Sequence, residues 1–391
     1  MPDPSQPLTG VRVLDLSAVI SGPMCCALLA DQGADVIKVE PLAGDQSRRI
    51  GPSKGDLSAL AISVNRGKRS IALDLKRKDH LEVVRELAQR ADVLVQNFRP
   101  GAMDRLGLSA KALCALNPRL IYVSITGFGA DGPYAGGRVY DAVIQAVSGM
   151  SASHPNQATG APTLLATTIC DKLSALTAAQ AIGVALFARE RTGEGTTIDL
   201  SMLDAALAFQ WPDAMNNLTF VTDPPRTFPE FGVNQRPFKT KDGYVAAMYP
   251  QVDEFANLCS GLGRPDIASD PRFATADARR HHVKELVPLI ESLTSTHDTD
   301  ELVARLSAAG VPIGRVNDRH EVLTDPQVVH DGNVVTIENG DVGTVRLAKA
   351  AARFGGQPAP VPTAAPRVGA NGREVLQTLG YSASRIDELL A

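Results

Sequence analysis

The chain has 391 residues, of which 44% are hydrophobic and 21% are charged, a composition typical of a soluble globular protein. Its net charge of −4 argues against general attraction to nucleic acid or to an anionic membrane surface. The five cysteines are scattered without a CxxC pair and the N-terminus shows no export signal, so we expect a cytoplasmic protein.

The first predicted elements form a βαβ unit. Val11 to Leu16 has the pattern of a buried strand, Pro23 stands in the first turn of a helix, and Gly33 ends that helix. Asp35 to Val39 is the next strand. The turn between the first strand and the helix lacks GxGxxG, which argues against a nicotinamide dinucleotide.

Strands and helices continue to alternate. The predicted segments are strands at Ser70 to Leu75, Val93 to Val95 and Leu120 to Ile125, and a helix at His80 to Arg90. This alternation predicts an α/β fold with a parallel sheet that is covered on both faces. Ligands of such sheets bind beyond the carboxyl ends of the strands, so the loops at those ends are candidates for a functional site.

One of these loops is rich in glycine. Gly127, Gly129 and three further glycines follow the strand that starts at Leu120, and Tyr140 and Asp141 come shortly after them. Glycine permits positive φ and lets a ligand approach the backbone closely. We therefore expect this loop to lie against a ligand.

A helix follows in which Leu173 to Ala188 is uncharged and rich in Ala, Leu, Ile and Val. Such a helix is apolar nearly all round, so we expect it to be buried, and it is too short for the roughly 20 residues of a membrane span. Asp171 stands at its start, where burial of a charge is costly unless the group is hydrogen-bonded or used. Taken alone, Asp171 is either a helix cap, the commoner role, or a reagent.

The composition changes near Thr222, where Asp223-Pro224-Pro225 indicates a linker. We expect a large domain over 1–220, a smaller domain over 221–330, and a C-terminal segment over 331–391 that returns to the large domain. His281-His282 lacks a third ligand at metal spacing, so no metal site is predicted.

Several stretches follow one another over nearly the whole chain: PLTGVRVLDLS and SGPMCCALLADQGADVIKVEP, GKRSIALDL, ADVLVQNFRPGAMDRLGL, LNPRLIYVSITGFGADGPY, TGEGTTIDLSMLDAAL, and GVPIGRV with DPQ. Together they resemble the family III CoA-transferases, the CaiB/BaiF family. The resemblance implies a Rossmann-like large domain, a smaller α+β domain and an interlocked homodimer. It also implies acyl-CoA and carboxylic acid substrates, with coenzyme A as substrate and no permanently bound cofactor.

The family's nucleophile is an aspartate at the start of the helix before TGEG, a place that Asp171 occupies. The resemblance implies an aspartyl acyl anhydride and then an aspartyl-CoA thioester at this residue. Backbone N–H groups of Gly127 and Gly129 are candidate oxyanion donors. Asp141 is either a helix cap or a second acidic group near Asp171, since relatives carry Glu there.

Contacts to CoA are implied by position. The matching residues are Val19, Leu73, Lys76, Asn97, Phe98, Ala102, Arg105, Arg138 and Met202. Formyl-CoA transferases carry an arginine where this chain has Pro41, and Lys38 or Arg48 is the expected substitute.

Two other functions remain open. The α-methylacyl-CoA racemases share these motifs and the aspartate, but they supply their second base as a histidine where this chain has Tyr140, a poor base at neutral pH. A non-catalytic acyl-CoA-binding protein is the other alternative. The formyl/oxalate substrate pair is not favoured, because FGVNQRPFKTKDGY lacks the glycine run of formyl-CoA transferases.

Overall fold

The computed structural model describes residues 5–153, 155–156, 159–223, 225 and 236–391. Pro224 of the predicted linker and positions 231–235, where the glycine run was sought, lie outside the described residues. The chain divides into two compact units, one of Met1–Met215 with Asp331–Ala391 and the other of Asn216–His330.

The first unit begins with alternating strands and helices, followed by a long helix and a last strand-helix pair. In chain order they are β1 (Arg12–Asp15), α1 (Ser21–Ala30), β2 (Asp35–Glu40), β3 (Ser53–Lys54), β4 (Leu57–Ser58), α2 (Ala59–Asn65), β5 (Lys68–Ala72), α3 (Lys78–Arg90), β6 (Val93–Gln96), α4 (Ala102–Arg105), α5 (Ala110–Leu116), β7 (Ile121–Thr126), α6 (Asp141–Val147), α7 (Ile169–Thr192), β8 (Thr196–Ser201) and α8 (Met202–Gln210).

Six of these strands form one parallel sheet in the order β5-β2-β1-β6-β7-β8, which confirms the predicted α/β fold. Strand β1 lies inside the sheet, since Val13 pairs with Val36 on one side and with Val93 on the other. The predicted strand at Ser70 to Leu75 begins earlier and ends earlier, as β5.

Alternate residues of the strands enter two separate cores, as the period of a β-strand requires. Val13, Val93 and Val123 lie in a buried cluster with residues of α1 and α7. Leu14, Leu94 and Tyr122 lie in a second cluster with residues of α3 and of the C-terminal segment. Both faces of the sheet are therefore covered, and the ligand-accessible edge is the one where the strands end.

Helix α7 departs from the expectation of all-round burial. One side packs in the core through Ala175, Ala178 and Ile182, which are 0% exposed. Its other side carries an apolar stripe, Leu176, Val184 and Phe187, whose side chains are exposed in the single chain. The helix also has 24 residues, long and apolar enough to cross a membrane by length and composition alone, so the length argument from the sequence was wrong. Its packing is that of a core helix of the sheet.

The second unit is a small α+β structure. Its elements are β9 (Phe238–Lys239), β10 (Tyr244–Ala247), α9 (Val252–Gly261), α10 (Ala276–His281), α11 (Val283–Thr294), α12 (Thr299–Ala308), β11 (Ile313–Arg315) and α13 (Pro326–Asp331). The three strands form an antiparallel sheet in the order β11-β10-β9. Phe255, Ile290 and Leu302 form part of its own core.

The C-terminal segment completes the first unit. It contains β12 (Val334–Glu338), β13 (Thr344–Ala348), α14 (Gly372–Leu379) and α15 (Ala383–Leu390). Asn371 ties it to β5, because its N–H donates to the carbonyl of Ser70 and its Oδ1 accepts the N–H of Ser70 at 3.0 Å. Val375 and Leu376 of α14 fill the second core.

Candidate active site

The loops that follow β1, β6 and β7 enclose a cavity of about 290 Å³ at the carboxyl edge of the sheet. We call it the Asp171 cavity. It is lined by Ala18, Val19, Ser21, Gln46, Asn97, Phe98, Arg99, Pro100, Ile125, Thr126, Gly127, Phe128, Ala135, Gly137, Arg138, Val139, Tyr140, Asp171 and Met202. Loops from three strands of a parallel sheet converge here, as such a sheet dictates.

Asp171 lies in the first turn of α7 and does not cap it. The N-cap position is Thr168, which makes no side-chain capping bond. Among the described residues, no donor bonds the carboxylate of Asp171, whereas its backbone N–H donates to Asp141 Oδ1 at 2.9 Å. The capping interpretation of Asp171 is therefore wrong, and its carboxylate stays available in the cavity wall.

The environment of Asp171 disfavours its charge. Burial, and then the negative charge of Asp141, raise the pKa of Asp171 to about 7, against the weaker opposing effect of Lys172. A carboxylate that is desolvated without compensating hydrogen bonds is a poor structural element but a reactive one. The geometry therefore fits the role of a reagent.

Asp141 supports the start of α7 from a neighbouring helix. It is 6% exposed and does not line the cavity. Its Oδ1 accepts the N–H of Asp171, and its Oδ2 accepts Gln145 Nε2 at 2.6 Å. Gln145 also donates to the carbonyl of Thr167 and accepts the N–H of Leu165, so the two α6 side chains hold the segment that leads into α7. The predicted role of Asp141 as the cap of its own helix is wrong, because Asp141 is the first residue of α6 and its carboxylate accepts the N–H of Asp171 in α7. Its place beside Asp171 agrees with the other interpretation, a second acidic group near Asp171, whose part in catalysis stays a prediction.

Gly127 and Gly129, the two candidate oxyanion donors in the loop after β7, line different cavities. Gly127 lines the Asp171 cavity, and a Cβ there would lie 2.3 Å from Val139 Cγ1, so only glycine fits. Gly129 lines a neighbouring cavity instead, and its N–H donates to Thr126 Oγ1 at 3.1 Å. This corrects the expectation for Gly129, whose N–H is already used inside the loop, while Gly127 stays a candidate oxyanion donor.

All but one of the residues matched to CoA contacts fall into two groups. Val19, Asn97, Phe98, Arg138 and Met202 line the Asp171 cavity together with Tyr140, although they come from four distant parts of the chain. Lys76, Ala102 and Arg105 do not line it, and Lys76 and Arg105 are exposed on the surface.

Two of the predicted contacts to CoA are wrong, because the side chains are buried in the protein. Lys38 is 0% exposed, and its Nζ donates to the carbonyl of Ser17 at 2.8 Å and lies 3.1 Å from Asp45 Oδ2. Leu73 is 1% exposed and packs in the second core. Arg48, the other proposed substitute for the missing arginine, is equally buried against Glu40. Neither Lys38 nor Leu73 presents a surface to a ligand.

Arg99 is a charged residue of the cavity that was not predicted from the sequence. Arg99 lines both the Asp171 cavity and the neighbouring one, and it follows directly on Asn97 and Phe98 in the motif that was matched. Its position beside two matched residues was the available signal. Within the described ranges, no group of three His, Cys, Asp or Glu side chains is arranged to hold a metal ion.

Comparisons with known proteins agree with this geometry. The family model for CoA-transferase family III matches residues 8–372. Human succinyl-CoA:glutarate CoA-transferase is 34% identical over 99% of this chain and 89% of its own length, and succinate–glutarate CoA-transferase of Agrobacterium fabrum is 37% identical over 88% of each chain. The crystal structure of a CAIB/BAIF family protein from Brucella suis superposes with a TM-score of 0.83 at 34% identity, covering 96% of this chain and 99% of that one. The chain therefore belongs to CoA-transferase family III, the CaiB/BaiF family, and is a CoA-transferase.

Proposed function

We propose that this enzyme moves CoA from an acyl-CoA donor to a carboxylic acid acceptor through covalent intermediates on Asp171. The observation that carries the proposal is the carboxylate of Asp171, which has no bonded donor among the described residues and lies in the wall of the cavity at the carboxyl edge of the sheet. Its pKa of about 7 leaves a substantial fraction ionised at neutral pH.

The proposed reaction uses Asp171 twice. Its carboxylate attacks the thioester carbonyl of the donor, the C–S bond breaks, and an aspartyl acyl anhydride and the CoA thiolate form. The thiolate attacks the aspartyl carbonyl, the anhydride C–O bond breaks, and the donor acid leaves as a carboxylate. An acceptor carboxylate then displaces the thiolate to form a new anhydride, and the thiolate takes the new acyl group. No net proton is consumed, and Asp171 returns as a carboxylate.

The surroundings of Asp171 suit this chemistry. Desolvation raises the energy of the carboxylate before attack, and the anhydride that forms is neutral, so the reaction relieves an unfavourable charge. The N–H of Gly127 is the proposed donor to the oxyanion, in a place where a side chain would clash with Val139. The interlocked homodimer stays a prediction, and the exposed apolar stripe of α7 is a surface of the kind that a second copy covers.

The racemase alternative depends on a second base, and Tyr140 stands where that base would be. Its side chain is 63% exposed at the N-terminus of α6. A neutral phenol hydroxyl is a much poorer proton acceptor than the histidine that the racemases carry at this position. No contact of the described residues favours the non-catalytic alternative.

We further propose that the acceptor is a dicarboxylic acid. The names of several relatives include glutarate, oxalate or D-citramalate. Arg138 lines the Asp171 cavity and is exposed, and it forms no ion pair with any residue that the structure describes. A guanidinium group without a partner is suited to hold the carboxylate that does not react.

Arg138→Met is expected to raise KM for a dicarboxylic acceptor about 10- to 100-fold, because a charge-assisted hydrogen bond contributes about 1.5–3 kcal/mol. Steady-state kinetics with glutarate and with a monocarboxylic acid of the same chain length, at fixed succinyl-CoA, measure the effect. The monocarboxylic acid should be affected about twofold at most. An equal loss for both acids, with a raised KM for succinyl-CoA, would assign Arg138 to CoA instead.

The covalent mechanism is tested by trapping. Purified enzyme is mixed with a panel of acyl-CoAs and quenched with hydroxylamine, and the mass of the peptide that contains Asp171 is measured. A modification that requires acyl-CoA and is missing in Asp171→Ala supports the proposal. If no adduct forms and the α-proton of a 2-methylacyl-CoA exchanges into deuterated solvent, the racemase alternative replaces it.

A further inference from the structure

The turn between β1 and α1, residues 17–19, forms part of the wall of the Asp171 cavity through Ala18 and Val19. Val19 has a φ of +69°, one of two positive values among the described non-glycine residues. Left-handed backbone is unfavourable for a β-branched residue and persists only where the surroundings impose it. Contacts with surrounding residues must therefore keep the 17–19 turn in this conformation.

Three side chains form hydrogen bonds to the backbone N–H and carbonyl groups of Ser17 and Ala18. Asn97 holds its middle, since its Oδ1 accepts the N–H of Ala18 at 2.8 Å and its Nδ2 donates to the Ala18 carbonyl at 2.7 Å. Asp15 Oδ1 accepts the N–H of Ser17 at 2.9 Å, and Lys38 Nζ donates to the Ser17 carbonyl.

Asp45 holds the strained residue itself. Its Oδ1 accepts the N–H of Val19 at 3.1 Å and the N–H of Ser47 at 2.9 Å, and its Oδ2 faces the Lys38 ammonium group at 3.1 Å. The N–H of Asp45 in turn donates to Glu40 Oε2 at 3.0 Å, which anchors the loop that carries it.

The charges of this cluster are buried and balanced. Asp15 and Lys38 are 0% exposed and Asp45 is 3% exposed, and Lys68 completes the set with a 2.7 Å bond to Asp15 Oδ2. Buried ion pairs rarely increase stability over apolar residues of the same size, so their use here needs another reason. Asp15, Lys38 and Asp45 each also bond a backbone group of the turn that lines the ligand cavity.

We propose that Asp45 is a positioning residue for coenzyme A, which acts by holding Val19 in the left-handed conformation that shapes the Asp171 cavity. Lys38, which was expected to contact coenzyme A, instead serves as the counter-ion of Asp45. The proposal rests on the proposed function in one respect, that coenzyme A occupies this cavity.

A double-mutant cycle on coenzyme A binding tests the proposal, with Kd measured by calorimetry on the full-length protein. Asp45→Ala removes the acceptor of the Val19 N–H, and we expect Kd to rise about tenfold, equivalent to about 1.4 kcal/mol. Glycine adopts positive φ readily, so in the Val19→Gly background the same substitution should change Kd by less than about threefold. KM for acyl-CoA should rise while kcat changes about twofold at most.

The matched control is Asp31→Asn, which breaks a buried ion pair with Arg66 that does not touch the turn. It should lower stability and leave Kd for coenzyme A unchanged. If Asp45→Ala does not fold, Asp45→Leu, which is close in size to the native side chain and also has no acceptor for the Val19 N–H, takes its place and the cycle is repeated with it. Equal losses in the wild-type and Val19→Gly backgrounds, or an unchanged Kd, would overturn the proposal. Absence of coenzyme A binding to the wild-type protein would instead count against the proposed function.

Discussion

Replacing Asp171 by asparagine is expected to lower kcat/KM for CoA transfer by at least about 10³-fold, the size of loss that removal of a covalent nucleophile causes. The amide has the same shape as the carboxylate, and Asp141, which accepts the backbone N–H of this residue, is untouched, so the fold should persist. An amide cannot form the anhydride or the thioester, so both covalent steps are lost. Initial rates with succinyl-CoA and glutarate, followed by chromatography of the acyl-CoA products, measure the change.

Asp141→Asn is the informative companion variant. Asparagine still offers an oxygen to the N–H of Asp171 but removes the negative charge that raises the pKa of Asp171. Asp141→Asn should therefore still form the adduct at Asp171, and adduct formation should begin at a lower pH than in the wild-type enzyme. Adduct formation that fails in Asp141→Asn while the protein stays folded would make Asp141 a participant in the chemistry.

Transfer activity above about one tenth of wild type in Asp171→Asn would end the nucleophile proposal.

The sheet and the place of the site were predictable because they depend on local patterns. Apolar strands that alternate with helices can bury themselves only as a covered parallel sheet, and its carboxyl edge is the open one. The loop of Gly127 lies at this edge and lines the Asp171 cavity, as the strand and helix pattern predicts. Asp171 was also correctly identified as a residue at the start of an apolar helix.

Burial was less predictable, because it depends on contacts between distant residues. Lys38 lies on β2, whose mixed sequence of polar and apolar residues does not show which polar side chain is buried. Only its contacts with Asp45 and Ser17 in the folded protein show that its ammonium group faces inward. Its position in the motif alone suggested a contact to CoA. Helix α7 has apolar residues on every side, so its sequence does not indicate which side the sheet covers.

The cap of α7 could not be predicted from its own sequence. Asp141 is 30 positions before Asp171, and its carboxylate reaches the helix only because α6 and α7 pack together. Sequence rules for helix caps consider residues adjacent to the first turn, so they assigned the cap to Asp171 itself. The true arrangement leaves the carboxylate of Asp171 without a donor among the described residues, and this difference separates a structural aspartate from a reactive one.

The same arrangement has a measurable effect on stability. Burial and Asp141 raise the pKa of Asp171 from 3.8 to about 7 in the folded state. Between these two values the unfolded chain releases the proton of Asp171 and the folded chain keeps it, so the folded state binds more protons and its stability falls as pH rises. Above about pH 8 both states are ionised and the loss is complete.

Asp171→Asn abolishes this loss, since an amide does not titrate. Its free energy of unfolding should match that of wild type near about pH 4 and exceed it by about 2 kcal/mol at about pH 8, a value that allows for solvent screening of a partly buried group. Urea unfolding of both proteins from about pH 5 to about pH 8 measures the difference. Asp56→Asn is the control, because the N–H of Val368 and the Arg367 guanidinium hold the pKa of Asp56 low against the effect of burial, and its effect should be constant over this range. A constant difference for Asp171→Asn as well would mean that Asp171 is ionised throughout, and the active site would then hold a stabilised carboxylate in place of a destabilised one.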